Sequence, residues 1–347
     1  MRQKLLTGCE ASAEGAIAAG CTFYAGYPIT PQNRYPEYMS VRMDEIGGVF
    51  IQAESELSAI NMVFGASVAG FRAMTSSSSP GISLMQEGIS YLAGCELPSV
   101  IVNMARGGPG LGDVTPSQAD YFQSTRGGGH GDYRTLVLAP WSVQEIYDFT
   151  YLAFDLADRY RNPVLVLGDG LLAQMYEPVR FKSMKKRLPK KPWVLNGCKG
   201  RNPNSIQSLF LTPGVLEAHN WKLEKKYEKM EKKEVRFESY YCDGCDFLLI
   251  SYGTCARIAK EAVMKARSEG IKIGLFRPVS LWPFPYRALS EHIKRTKKVL
   301  VVEMSLGQML DDVKIAACSS QTRIFFYGRP GGGVPDPDEI YREIKKK

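Results

Sequence analysis

The sequence predicts an α/β protein with two parallel-sheet domains, residues 1–180 and residues 243–347, joined by a basic linker over 181–242. Short apolar runs alternate with longer segments of helical periodicity, and this alternation occurs on both sides of the linker. Strands that alternate with helices form parallel sheets covered on both faces. A composition of 44% apolar and 23% charged residues is ordinary for a globular protein, and 347 residues are enough for two cores.

In the first domain, apolar runs rich in β-branched residues predict buried strands. Helical patterns follow over 55–69 and 143–159. The first run ends in a turn that contains two prolines, Pro28 and Pro31. The predicted strands are 22–27, 48–52, 73–76, 99–104, 136–139 and 163–168.

The pattern changes after the first domain, where Lys, Pro and Asn accumulate. Residues 217–233 predict a highly charged helix with few apolar positions, which we interpret as a surface connector and not as core. The second domain repeats the alternation, with a helix over 256–268. Its predicted strands are 247–252, 272–276, 298–303 and 323–327.

The net charge of +8 does not indicate nucleic-acid binding. Much of the excess lies in 182–191 and in the tail 345–347, without the interleaved aromatics of a single-strand groove. We expect solvated segments there and at most a modest attraction to an acidic protein partner. No run reaches the ~18 apolar residues of a transmembrane helix, and the N-terminal apolar stretch is too short for a signal peptide. These features predict a cytoplasmic protein without membrane attachment.

Eight cysteines are scattered along the chain, and the close pair is Cys242 and Cys245. A redox or metal site would need a second pair, or a strand directly before a helix, and the sequence has neither. We interpret the pair as an exposed turn before a strand and expect no disulfides.

Several motifs occur in order along the chain. They are Tyr-Pro-Ile-Thr-Pro (27–31), Gln-Ala-Glu-Ser-Glu (52–56), Thr-Ser-Ser-Ser-Ser-Pro-Gly (75–81), Glu-Leu-Pro (96–98), Arg-Gly-Gly-Pro (106–109), Gly-His-Gly-Asp (129–132) and Gly-Arg-Pro-Gly-Gly (328–332). Together they resemble the alpha-type subunit of the 2-oxoacid:ferredoxin oxidoreductases over nearly the whole chain. The resemblance is closest to the subunits of 3-methyl-2-oxobutanoate (2-ketoisovalerate) enzymes. Subunits of 2-oxoglutarate enzymes share most of the motifs, so the substrate stays open.

This resemblance implies a pyrimidine-binding domain of the thiamine diphosphate enzymes, followed by a transketolase C-terminal-like domain. It implies that the complex oxidatively decarboxylates a 2-oxoacid to acyl-CoA and CO2 and reduces ferredoxin. The family position of the catalytic carboxylate, which hydrogen-bonds N1′ of the cofactor, matches Glu56. Its neighbour Glu54 points elsewhere at the same junction. The alternative is that both are surface acids favoured near a helix N-terminus.

Substrate contacts are expected from residues that follow two strands of the first domain. Arg106 follows the clearest strand, at the carboxyl end where α/β proteins bind ligands, and its guanidinium suits a carboxylate. The resemblance implies that Thr30 contacts the substrate through its hydroxyl and that Ile29 also contacts the substrate. The alternatives are a solvated arginine and a turn-stabilising threonine.

Cofactor contacts are expected from Pro28, Glu56, Ser79 and Gly81. The serine run before Gly81 could cradle a phosphate at a helix N-terminus. We favour small residues that permit close approach, with Ser79 as the helix N-cap. His130, in a glycine-rich stretch, is a possible acid–base group, and a structural loop histidine is the alternative.

Gly168-Asp169-Gly170 followed by Asn196 mimics the Mg²⁺–diphosphate motif, which needs a helix between its ends. Three prolines and several lysines in between argue against that helix, so no metal ligand is predicted here. The resemblance then implies that thiamine diphosphate is shared with a beta-type subunit that carries Mg²⁺ and the diphosphate half-site. Cysteine clusters for [4Fe-4S] groups are absent from the sequence, so these are expected on gamma-type and ferredoxin-like subunits.

Three other hypotheses stay open. A purely structural subunit of such a complex would have the same two domains without a catalytic carboxylate at Glu56. A self-sufficient transferase resembling transketolase would need a true diphosphate motif. A nucleotide-binding protein could use residues 76–81, but the sequence Gly-x-x-x-x-Gly-Lys is absent.

Overall fold

The computed structural model describes residues 3–184 and 187–347. The first part of the chain forms β1 (Gln3–Thr7), α1 (Gly8–Ala18), β2 (Phe23–Gly26), α2 (Arg34–Glu45), β3 (Val49–Gln52), α3 (Glu56–Val68), β4 (Ala73–Ser77), α4 (Ser79–Gly94), β5 (Ser99–Ala105), α5 (Tyr121–Arg126), β6 (Leu136–Leu138), α6 (Val143–Tyr160), β7 (Pro163–Asp169), α7 (Gly170–Gln174) and β8 (Tyr176–Arg180). The second part forms α8 (Val215–Lys233), β9 (Phe237–Tyr240), β10 (Phe247–Ile250), α9 (Gly253–Ser268), β11 (Ile273–Pro278), β12 (Ser280–Trp282), α10 (Tyr286–Ile293), β13 (Lys298–Glu303), α11 (Gln308–Ala316), β14 (Arg323–Gly328) and α12 (Pro337–Lys346).

The larger sheet has the strand order β12-β6-β7-β5-β4-β2-β3. Its strands are parallel except β12, which pairs antiparallel with β6. Strand β5 lies between β7 and β4 and is buried along its whole length, as its continuous apolar run requires for a central strand. All six strands predicted for the first domain are confirmed, with ends that shift by at most one residue.

The smaller sheet has the order β14-β13-β10-β11-β9, parallel except for β9. The predicted α/β class with two parallel-dominated sheets is therefore confirmed. Strand β12 comes from the second half of the chain yet extends the first sheet, so the two halves are interlocked. The domain limits 1–180, 181–242 and 243–347 stay a prediction. Within the described chain, no helix is both long and apolar enough to cross a membrane.

Helix α8 was predicted correctly as a helix, but its interpretation as a surface connector was wrong for one face. Leu223, Tyr227 and Met230 are buried in the main hydrophobic core. The Tyr227 ring packs edge-on against Trp282, with ring centroids 6.1 Å apart. Three apolar positions at helical spacing form a narrow stripe, which is enough to bury one face of an otherwise charged helix.

The turn that contains Cys242 and Cys245 precedes β10, and its middle residues, Asp243 and Gly244, are exposed as predicted, but the two cysteines are not. Both side chains are buried, because the turn packs against β11 and the Cys242 thiol donates to the carbonyl oxygen of Leu275 at 3.3 Å. Burial raises the pKa of Cys242 to about 12 and also raises the pKa of Cys245. Both cysteines are free, and as protonated thiols they are poor nucleophiles.

Candidate active site

Segments that follow four neighbouring strands meet at the carboxyl edge of the larger sheet. Strands β5, β4, β2 and β3 are consecutive in the sheet order. Arg106 follows β5, the serine run follows β4, Thr30 follows β2 and Glu56 follows β3. Open α/β sheets bind ligands at this edge. The fold thus brings distant parts of the sequence to one place.

Glu56 is the first residue of α3 and is only 4% exposed. The hydroxyl of Ser77, at the end of β4, donates to Glu56 Oε1 at 3.1 Å. Glu54 lies two residues earlier and is exposed, with a hydrogen bond from the Ser58 hydroxyl that lowers the pKa of Glu54. The strand-to-helix junction therefore separates the two carboxylates, one buried at the sheet edge and one in solvent.

Gly81 lies directly against this carboxylate. A Cβ atom at position 81 would overlap Ser77 Oγ and Glu56 Oε1. Because glycine has no side chain, the first turn of α4 can approach the glutamate this closely. The structure thus brings together two of the residues predicted for the cofactor site.

Arg106 is buried, with 6% of its surface exposed. Its guanidinium donates to the main-chain oxygens of Thr30, at 2.7 Å, and Leu111, at 3.1 Å. Its Nε–H is buried and has no partner among the described residues. A guanidinium carries five N–H groups, so these two bonds leave capacity for an anion. A buried, unpartnered N–H is costly, which is consistent with a ligand that completes it.

The turn over residues 27–31 holds the other predicted contacts. Thr30 Oγ1 accepts from Asn33 Nδ2 at 3.3 Å and keeps its own O–H as a donor. Ile29 is half-buried and Pro28 is exposed. Gln32, which the sequence did not single out, donates to the Tyr27 oxygen at 3.2 Å and accepts from the hydroxyl of Ser76, a residue of β4, at 2.7 Å. This buried glutamine ties the turn to β4.

The prediction that Ser79 is the N-cap of α4 was wrong. Ser78 occupies that position, with extended backbone angles, and Ser79 is the first helical residue. Both hydroxyls turn toward the end of β5, where Ser78 donates to the Met104 oxygen at 2.8 Å and Ser79 accepts from the Arg106 N–H at 2.9 Å. Neighbouring strand ends compete with the helix for serine hydroxyls, and the sequence does not reveal that competition.

Asp120 is a further residue of the site that the sequence did not reveal. Its Oδ2 accepts from Ser79 Oγ at 2.6 Å and from Asn103 Nδ2 at 2.8 Å. Burial raises the pKa of Asp120, and these two hydrogen bonds offset part of the rise. No helix or strand precedes Asp120 between β5 and α5, so periodicity gave no indication of its position.

His130 lies apart from this cluster. It is exposed, and its main-chain oxygen accepts from Ser90 Oγ at 2.7 Å. Ser90 stands near the carboxyl end of α4, whereas Ser79 begins it, so roughly 16 Å of helix separates them. Within this chain, the structure does not bring His130 to the residues above.

The Gly-Asp-Gly sequence is used as a helix cap. Asp169 Oδ1 accepts from the main-chain N–H groups of Leu171, at 3.0 Å, and Leu172, at 3.1 Å. Asn196 is exposed and accepts from Arg201 at 3.1 Å. The short helix α7 and strand β8 stand where a diphosphate motif needs one continuous helix.

Comparison with known proteins places the chain in a family. Residues 14–241 match the thiamine diphosphate-binding domain of pyruvate flavodoxin/ferredoxin oxidoreductase, and residues 245–340 match core domain II of pyruvate:ferredoxin oxidoreductase. The chain belongs to the 2-oxoacid:ferredoxin oxidoreductase family. The sequence-based predictions of this family, of an oxidoreductase subunit and of a thiamine diphosphate-binding first domain are thereby confirmed.

Relatives within the family are similar along the whole chain. The ketoisovalerate oxidoreductase subunit VorB of Methanothermobacter marburgensis is 46% identical, over 100% of this chain and 98% of its own. The 2-oxoglutarate synthase subunit KorA of the same organism is 38% identical, over 98% and 97%.

Solved structures agree with this family and its fold. The 2-oxoglutarate:ferredoxin oxidoreductase of Magnetococcus marinus superposes with a TM-score of 0.88 at 26% identity, over 99% of this chain and 65% of that longer chain. A split-gene transketolase superposes at 0.61 with 14% identity, over 98% of this chain and 97% of its own, which shows a shared fold.

Proposed function

We propose that this chain supplies the activating half of a thiamine diphosphate site in a complex that oxidises 3-methyl-2-oxobutanoate to acyl-CoA and CO2 and reduces ferredoxin. The observation that carries the proposal is the buried carboxylate of Glu56 at the carboxyl edge of the sheet, held by Ser77 and packed by Gly81. Burying a carboxylate is costly unless its oxygens are hydrogen-bonded, so a buried glutamate at this edge indicates a functional role.

The residues present fit the pyrimidine end of thiamine diphosphate. When bound, this cofactor supplies a nucleophilic carbon, C2, and an aminopyrimidine that assists its deprotonation. Across residues 3–184 and 187–347, the one hydrogen bond recorded to the Glu56 carboxylate is at Oε1, from Ser77. Glu56 Oε2 can therefore bond N1′ of the pyrimidine and hold the proton that favours the imino form. Gly81 keeps the carboxylate in place, and Pro28 and Ser79 lie on the flanking segments.

Arg106 and Thr30 suit the carboxylate and carbonyl of a 2-oxoacid. Arg106 offers the unpartnered Nε–H and further N–H groups, and Thr30 offers its O–H. The half-buried Ile29 beside Thr30 favours an apolar acyl chain. The second carboxylate of 2-oxoglutarate would instead need another cation. The higher identity to the ketoisovalerate subunit, 46% against 38%, also favours a branched-chain substrate.

A beta-type subunit supplies the rest of the cofactor site, with Mg²⁺ and the diphosphate contacts. Large apolar side chains are exposed on the segments that carry the site residues, which supports a partner over this edge. They are Tyr27, Leu57, Leu84 and Leu111. Gamma-type and ferredoxin-like subunits carry the [4Fe-4S] clusters, CoA receives the acyl group, and ferredoxin takes the electrons. The complex acts in the cytoplasm.

The test is the substrate profile of the complex purified with its native partners. Reduction of ferredoxin that depends on both CoA and the 2-oxoacid should be fastest, in kcat/KM, with 3-methyl-2-oxobutanoate. A higher kcat/KM with 2-oxoglutarate would instead identify 2-oxoglutarate as the substrate of the complex. The proposal would be contradicted if a complex that retains thiamine diphosphate failed to reduce ferredoxin with any 2-oxoacid.

A further inference from the structure

Residues 117–122 form a bridging segment between the two halves of the molecule, beside the active-site edge. The carboxamide of Gln118 donates to the Tyr252 oxygen at 2.9 Å and accepts from the Met304 N–H at 3.0 Å. Its main-chain N–H donates to the Met304 oxygen at 2.9 Å. Tyr252 follows β10 and Met304 follows β13. The second sheet therefore holds this end of the bridging segment from two strands.

The other end of the bridging segment is fixed by α11. The Gln308 carboxamide accepts from the Phe122 N–H and donates to the Ala119 oxygen, each at 2.7 Å. The hydroxyl of Tyr121 donates to the buried carboxylate of Asp312 at 2.5 Å. Each residue around position 120 is thus tied to the second half of the chain, which leaves Asp120 little freedom to move.

The Asp120 side chain points away from these contacts, toward Ser79 and Asn103. It accepts from Ser79 Oγ, and the same hydroxyl oxygen accepts from the Arg106 N–H. A serine hydroxyl has a single proton. Ser79 donates this proton to Asp120 at 2.6 Å, because the competing acceptor, the main-chain oxygen of Arg106, is 3.3 Å away. A lone pair of the Ser79 hydroxyl oxygen then stays directed at the main-chain N–H of Arg106.

We propose that Asp120 is a positioning residue for the substrate anchor. Asp120 orients Ser79 and thereby the main chain of Arg106. The second half of the chain fixes the location of Asp120 through its hydrogen bonds with Gln118 and through Gln308. The inference rests on the proposed role of Arg106. It gives the second half of the chain a part in substrate binding through the bridging segment.

The size of the effect follows from the position of Arg106. Its guanidinium is already fixed by the Thr30 and Leu111 carbonyls, so a shift of its main chain would misdirect the remaining N–H groups. Misplacement of a binding group by about 1 Å can cost up to a hundredfold in rate. Both hydrogen bonds to Asp120 are accepted by one oxygen, Oδ2. A neutral carboxamide can therefore replace the carboxylate.

The test compares Asp120→Ala and Asp120→Asn in the assembled complex. We expect Asp120→Ala to raise the KM for the 2-oxoacid about tenfold and to leave hydrogen exchange at C2 of thiamine at the wild-type rate. Asp120→Asn should stay within about twofold of wild type, because it keeps the acceptor. Asp44→Ala, which removes an exposed aspartate on α2, is the matched control and should change neither quantity.

Ser79→Ala provides an independent variant in case Asp120→Ala does not assemble. It should raise the KM to a similar extent. The double variant Asp120→Ala/Ser79→Ala should have a KM no higher than either single variant, because the two residues act through the same series of hydrogen bonds. An unchanged KM in Ser79→Ala and Asp120→Ala, with a raised KM in Arg106→Leu, would overturn the inference and leave the proposed function standing. A normal KM in Arg106→Leu would instead show that Arg106 does not bind the substrate, which contradicts its role in the proposed function. Slowed C2 exchange in Asp120→Ala, or equal damage in Asp120→Asn, would also contradict the positioning role.

Discussion

Gly81 lies so close to Glu56 that the glutamate carboxylate occupies the space a Cβ at position 81 would need. Gly81→Ala should therefore displace Glu56 or the first turn of α4. We expect C2 exchange of thiamine in the complex to fall at least tenfold, because catalytic groups tolerate little misplacement.

The matched control for this variant is Gly65→Ala. Gly65 lies within α3 on its exposed face, with open space where its Cβ would be. Removing a glycine there should leave exchange unchanged and stabilise the fold by about 0.5–1 kcal/mol. Equal exchange rates in the two variants would show that Gly81 is not needed for the carboxylate's position.

Replacement of Arg106 tests the substrate anchor. Arg106→Leu in the assembled complex should raise the apparent KM for the 2-oxoacid and lower kcat/KM by roughly two to three powers of ten, since a charge-assisted pair is lost. Steady-state kinetics with saturating CoA and ferredoxin give both constants. Arg287→Leu, at a 95% exposed side chain, should behave as wild type. Normal handling of 2-oxoacids by the Arg106 variant would exclude a carboxylate contact there.

The isolated chain should bind thiamine diphosphate and Mg²⁺ very weakly, because under the proposed function it provides only the pyrimidine half of the site. Calorimetric titration of the purified chain measures this directly. Tight, Mg²⁺-dependent binding would show that the chain has a diphosphate site of its own. It would require a new role for Asp169, which now caps α7.

The buried face of α8 should contribute to stability. Met230→Ala removes a fully buried side chain and should lower the free energy of unfolding by about 2–5 kcal/mol. Lys229→Ala, at an exposed position on the same helix, should change it by less than about 0.5 kcal/mol. Denaturant unfolding compares the two. Equal stabilities would mean that α8 is a connector after all.

The sequence predicted the central strands well, because a strand buried on both faces is a continuous apolar run. Strand β5 is the clearest case. Strands β9 and β12 were missed because they are short edge strands whose pairing depends on contacts distant in sequence. Glu56, Gly81 and Arg106 were predicted through family motifs, and the fold brings them to one edge. Asp120 and Gln32 were missed because they bond Ser79 and Ser76, which are distant in sequence, and no local pattern marks them.

The central claim is that Glu56, and not Glu54, is the carboxylate that activates the cofactor. Glu56→Gln keeps the size of the side chain and the capacity to accept from Ser77. It cannot serve as the same acid–base partner for N1′. We expect the variant to assemble with its partner subunits and to exchange the C2 proton of thiamine more slowly by roughly two to four powers of ten. Glu54→Gln, two residues away and exposed, should exchange at nearly the wild-type rate.

The decisive measurement is deuterium exchange at C2 in the assembled complex, quenched at successive times and quantified by NMR. The predicted result is slow exchange in the Glu56 variant beside nearly normal exchange in the Glu54 variant. Wild-type exchange in the Glu56 variant, or a larger defect in the Glu54 variant, would contradict the account.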